Sequence, residues 1–259
     1  MLFALLSPAK RLDFSPAPAF AHPSTPALLD EAVLMAARAK KLTRSQIAKL
    51  MDISPKLAEL NFERFQQFDP VGDGKPAIYA FAGDVYMGFD AKTLSEKDIS
   101  FAQEHIGIIS GLYGLLRPLD AIQPYRLEMG SALKNERGKD LHAFWRKSLT
   151  DHINARTSRK GTTIVNLASQ EYWGAIDAKA LKAPVLTVHF KEIKNGKAAI
   201  VAFFAKKARG MMARYIAEKR LTKPEQLKTF DTGGYRFDAD SSDATDWVFS
   251  RPYTPMNAF

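Results

Sequence analysis

The spacing of apolar residues changes along the chain, and each change marks an element. Residues 2–6 (LFALL) form a short continuous apolar run, expected as a buried strand. Residues 14–27 hold four prolines among small residues and read as a surface loop. From Leu28 the pattern turns helical, with Leu29, Val33 and Ala36 on one face and Arg38, Lys40 and Lys41 near the end, where cations suit the dipole. Thr43-Arg44-Ser45-Gln46 has the spacing of a capping box for a helix through Met51. Ser54-Pro55 then supplies an N-cap and a first-turn proline for a second helix, with Leu57, Leu60 and Phe65 expected inward.

Further on, residues 77–82 and 106–109 read as apolar strands, and Ser95 with Asp98 opens a helix between them. Leu141, Trp145, Leu149 and Ile153 recur every fourth residue, the mark of an amphipathic helix with one buried face. Residues 163–167, 184–193 and 198–204 read as strands, the last two joined by Asn195-Gly196, the strongest hairpin signal in the chain. The stretch 203–221 then becomes a basic helix. Ala208, Met211, Met212 and Tyr215 fall on one side, and Lys206, Lys207, Arg209 and Arg214 on the other. Thr222 to Glu225 suggests a cap for one more helix, and 246–250 a last short strand. These elements predict an α+β fold. It is a single domain over 1–259 with a mixed β-sheet surrounded by helices, and a helical hairpin subregion at 28–68.

Composition narrows the chemistry. Lys and Arg number 37 against 28 acids, a net charge of +9, which suits a polyanionic partner. No cysteine is present, which excludes disulfides, thiolate metal sites and a cysteine nucleophile. No apolar run has the length of a membrane span, and the start lacks a signal-peptide pattern, so a cytoplasmic protein without a membrane partner is expected. The five histidines form no metal-ligand pairing. The Asp-rich run 238–243 lacks the glycine and glutamate of a calcium loop, so neither metal nor cofactor is expected.

What remains is a set of polar residues at the ends of predicted strands, with Lys56 in the helical hairpin. Lys10, Asp84 and Tyr113 are the candidates for catalysis. Lys10, Lys56, Arg117, Arg126, Lys206, Lys207 and Arg209 are the candidates for holding phosphates. The set suits a nucleic-acid cleft, and equally an enzyme site for a nucleotide, a base or another small anion with Lys10 as nucleophile or base. The stretch LMDISPKLAEL resembles a helix-hairpin-helix near 43–65, with Asp52 and Ser54 where that motif carries glycines.

The segments SPAKRLDF, FAGDVYMGFDAKTLSEKD, SGLYGLLRPLD with YRLEMG, and FFAKKARGMMARYI resemble the YaaA family of bacterial peroxide stress proteins, over nearly the whole chain. That resemblance implies a cytoplasmic protein of the hydrogen peroxide response that limits oxidative DNA damage, with lowered free iron as an associated phenotype. It also implies a mixed α/β fold, a helix-hairpin-helix element, and a basic cleft that binds the backbone of double-stranded DNA. On this chain the cleft residues would be Lys10, Arg117, Arg126, Lys206, Lys207 and Arg209, and the DNA-contacting turn Asp52 to Lys56.

Overall fold

The computed structural model describes residues 1–254. Strand β1 (Leu2–Leu6) is buried on both faces at the centre of the sheet, as a run without alternation requires. After the proline-rich loop come three helices, α1 (Leu29–Lys40), α2 (Arg44–Met51) and α3 (Pro55–Gln67). The capping box at Thr43 and the Ser54 cap are both formed. The inward face of α3 holds Phe65 as expected and differs at Leu57 and Leu60. Leu57 and Leu60 are each 39% exposed, and Ala58 and Asn61 are buried in their place. One residue of helical phase, about 100°, turns Leu57 and Leu60 outward and Ala58 and Asn61 inward.

A two-stranded ribbon of β2 (Lys75–Pro76) and a later partner precedes α4 (Ala77–Ala80). The expected strand at 77–82 is thus a single helical turn, completely buried. A short apolar run has no period to separate the two forms. Here Ala77 and Ile78 donate their N–H groups to the carbonyls of Asp120 and Pro118, which bends the chain out of a ladder. Next follow α5 (Asp84–Phe89), α6 (Glu96–His105) with its Ser95–Asp98 capping box, β3 (Ile106–Ser110), β4 (Gly114–Leu116) and β5 (Ala121–Ile122), the partner of β2.

Helix α7 (Leu141–Arg156) buries Leu141, Trp145, Leu149 and Ile153, as its spacing predicts. Strand β6 (Thr163–Leu167) leads into the short α8 (Gln170–Trp173). Strand β7 (Val185–Lys194) turns at Asn195-Gly196, both at positive φ, into β8 (Lys197–Ala199). Strand β8 stops at Ala199, five residues short of the expected end, and α9 (Ala202–Glu218) already includes Phe203 and Phe204. The expected helix after Thr222 is a 3₁₀ turn over Pro224–Thr229. Strands β9 (Arg236–Asp238) and β10 (Asp246–Pro252) complete the sheet, and β9 has no signal in the sequence pattern.

The sheet order is β4-β3-β1-β6-β7-β10-β9, with β8 on the end of β7. Strands β3, β1, β6, β7 and β10 run parallel, while β4, β8 and β9 pair antiparallel, giving the mixed sheet expected. Leu2 to Leu6 lie opposite Thr163 to Leu167 in register. From β1 the chain reaches β3 on one side, and from β3 it crosses to β6 on the other, so the winding reverses beside β1. No helix among the described residues is long and apolar enough to cross a membrane.

Candidate nucleic-acid interface

In parallel sheets, ligands gather outside the carboxyl ends of the strands where the winding reverses, because the connecting loops diverge there and leave a crevice. Here that place lies between the ends of β1 and β6. The two loops are stitched at the rim, where Ser7 Oγ accepts a hydrogen bond from the Ser169 N–H at 2.9 Å. Tyr86 of α5 donates its hydroxyl to the Ser7 carbonyl at 3.0 Å, which fixes α5 over the crevice. A cavity of about 440 Å³ opens beside them, lined by Lys10, Asp84, Glu171, Tyr172, Lys206 and Arg209.

The basic residues reach this cavity by different routes. Lys10 comes from the loop after β1, and Lys206 and Arg209 from successive turns of α9. Burial depresses the Arg209 pKa, because its guanidinium has lost water. It has no carboxylate within 4 Å among the described residues, nor has Lys206. Lys10 also borders a narrow cleft with Arg126, Glu128 and Tyr172. There Glu128 Oε1 lies 3.1 Å from Lys10 Nζ and 3.0 Å from the Arg126 guanidinium, so one carboxylate serves two cations. Lys10, Lys206 and Arg209 thus line one hollow, and Lys10 also borders the narrow cleft in which Glu128 holds it together with Arg126.

Other expected residues lie elsewhere. Arg117 donates two guanidinium N–H groups to one oxygen of the buried Asp120 and reaches the Thr25 carbonyl, an arrangement that holds the β4–β5 turn to the proline-rich loop. Lys207 lines a second cavity of about 660 Å³ on the other flank of α9, among Phe203, Met211 and Tyr235. Lys56 is exposed at the start of α3 and lines neither cavity. In the turn before it, the Asp52 and Ile53 N–H groups are already bonded to the Ala48 carbonyl.

Of the catalytic candidates, Asp84 shares the cavity with Lys10 at the start of α5. Tyr113 is buried, its hydroxyl accepts from the Gln123 N–H at 3.0 Å, and burial pushes its pKa up to about 12. It lines a separate cavity beside Phe68 and Gln123.

Sequence reasoning missed Glu128, Glu171 and Tyr172. Glu171 and Tyr172 lie four and five residues beyond Leu167, the end of β6, where parallel strands deliver site residues, and that rule alone could have flagged them.

The arrangement defines a class: an α+β protein with a mostly parallel central sheet and a crevice lined by basic residues at its winding reversal. The chain matches the family described as peroxide stress protein YaaA over residues 1–241, and it belongs to that family. It is 50% identical over 253 residues to a UPF0246 protein of Caulobacter vibrioides, covering 97% of this chain and 99% of that one. A UPF0246 protein of Paraburkholderia phytofirmans is 47% identical over 256 residues, covering 96% and 98%. One from Ruegeria pomeroyi is 50% identical over 256 residues, covering 97% and 99%.

Proposed function

We propose that this protein acts in the peroxide stress response by binding the phosphate backbone of double-stranded DNA along the basic cleft, so limiting oxidative damage to it. Lowered free iron would accompany that protection as a phenotype. The observation that carries the reading is the lining of one cavity by Lys10, Lys206 and Arg209, with Arg126 in the narrow cleft that Lys10 also borders, drawn from three stretches far apart in sequence. A guanidinium that is desolvated without an internal anion gains most from a phosphate, which replaces lost hydration with charge-assisted hydrogen bonds. Backbone contacts of this kind carry no base information, so binding is expected to be insensitive to sequence.

Gel-shift titrations across salt test it. With about four phosphates neutralised, the log–log slope of affinity against salt is expected near −3 to −4. Lys206→Ala should weaken binding and reduce the slope by roughly one unit. Because Lys206 is exposed, the variant should fold normally. Binding unaffected by both salt and the substitution would overturn the reading.

A further inference from the structure

Asp84 and Arg209 line the same cavity, yet form no ion pair with each other or with another described residue. Opposite charges left half-buried in one hollow would ordinarily close on each other, since pairing offsets part of their lost hydration. Two helices hold them apart. Asp84 begins α5 and Arg209 sits in the middle of α9.

The space between them has a consistent chemical lining. Arg209 and Lys206 form its cationic side. Asp84 and Glu171 bring carboxylate oxygens, which when ionised only accept hydrogen bonds. One Glu171 oxygen is fixed by the Gly130 N–H at 2.9 Å, which holds the side chain in place. The buried ring of Tyr172 and the rim residue Met87 supply apolar walls. At about 440 Å³ the cavity falls in the roughly 300–1,000 Å³ range of small-molecule sites.

We propose that this cavity is a site for one nucleotide-sized phosphate ester, with the phosphate held by Arg209 and Lys206 and its hydroxyl or amino donors by Asp84 and Glu171. The flat part of such a molecule lies between Tyr172 and Met87. The unit arrives either as a free mononucleotide or as a single nucleotide of a bound strand. The inference deepens the backbone reading and rests on it, because Asp84 and Glu171 offer acceptors that a phosphate alone leaves unused and that a ligand carrying donors would fill.

The test uses the full chain, titrated calorimetrically with deoxyadenosine monophosphate and separately with inorganic phosphate. Wild type is expected to bind the mononucleotide saturably, and Arg209→Gln to weaken both probes by about tenfold or more. Asp84→Asn should weaken the mononucleotide by about tenfold while leaving inorganic phosphate unchanged or tighter, since a repelling charge is gone. If Arg209→Gln fails to fold, the Asp84→Asn contrast decides alone.

A strand carrying one 2-aminopurine separates the two sources. Fluorescence that changes on binding, and no longer does so in Asp84→Asn, assigns the site to a nucleotide of the strand. Unchanged fluorescence with intact mononucleotide binding assigns it to the free ligand. No saturable mononucleotide binding by wild type, or an equal loss of both probes in Asp84→Asn, overturns the proposal. Loss of duplex gel shifts with mononucleotide binding intact would remove only the backbone reading.

Discussion

Gly88 on α5 and Gly210 on α9 are reciprocal. A Cβ on Gly88 would overlap the Lys207 carbonyl of α9, and a Cβ on Gly210 would overlap the Val85 carbonyl of α5. The helices therefore cross backbone to backbone, which only glycine at both positions permits. That crossing fixes the distance between Asp84 and Met87 on one helix and Lys206 and Arg209 on the other, and with it the width of the cavity.

Substituting either glycine should accordingly damage both stability and the site. Gly210→Ala forces the helices apart, because the clash is with backbone and no rotamer change relieves it. We expect a loss of about 2–3 kcal/mol, or roughly 5–10 °C in Tm. DNA affinity should fall beyond what the lost stability explains, since Arg209 moves with the helix. A thermal melt within 1 °C or so of wild type would contradict the close-approach account.

Glu128 offers a test in the opposite direction. It holds Lys10 and Arg126 through a single oxygen, and its side chain is only 16% exposed. A phosphate must compete with it for both cations. Glu128→Gln keeps the shape and removes the charge, so DNA affinity at low salt should rise by about two- to tenfold. Fluorescence anisotropy at two salt concentrations would measure it, and unchanged or weaker binding would show that these two cations lie outside the DNA path.

A buried charge network at the far edge of the sheet should govern stability alone. Glu192 on β7 is almost fully buried, bonds the Arg251 guanidinium at 2.9 Å and accepts from the Tyr235 hydroxyl. The Arg251 guanidinium also lies over the Tyr235 ring at 4.5 Å and the Phe204 ring at 4.9 Å. Glu192→Gln leaves that guanidinium buried without its counter-charge. We expect a loss of about 3 kcal/mol by urea unfolding, with mononucleotide and DNA binding unchanged below the transition.

Two histidines set a pH dependence. Burial lowers the pKa of His105 and of His152 below the ordinary 6.5, so the folded chain keeps them neutral where the unfolded chain takes up protons. More protons on the unfolded state means that stability rises with pH across this window. The protein should therefore lose stability as pH falls from about 7 to 5. His105 donates Nδ1–H to the Leu2 carbonyl at 2.8 Å and stacks on Phe101 with ring centres 3.8 Å apart. His105→Asn should lower stability at pH 7 and flatten the slope, and an equally steep slope in the variant would assign it elsewhere.

Local signals were legible wherever a few neighbouring residues decide the backbone. The Thr43 and Ser95 capping boxes, the Asn195-Gly196 turn, strands β1 and β6 and the buried face of α7 all follow from spacing and side-chain chemistry within one element. The charge excess and the basic character of α9 were equally plain, and so was the family, carried by motifs spread over most of the chain.

Tertiary structure alone decided which cations meet. Arg117 and Arg126 look alike in sequence, each a cation close to the Gly111–Gly114 turn. One is consumed by the buried Asp120, while the other joins Lys10 across Glu128. Lys206 and Lys207 are adjacent, yet the helix turns them toward different cavities. The reason is geometric. A site at the ends of parallel strands is assembled from loops separated by whole helices, and its composition depends on strand order and helix crossing, neither of which a local pattern encodes.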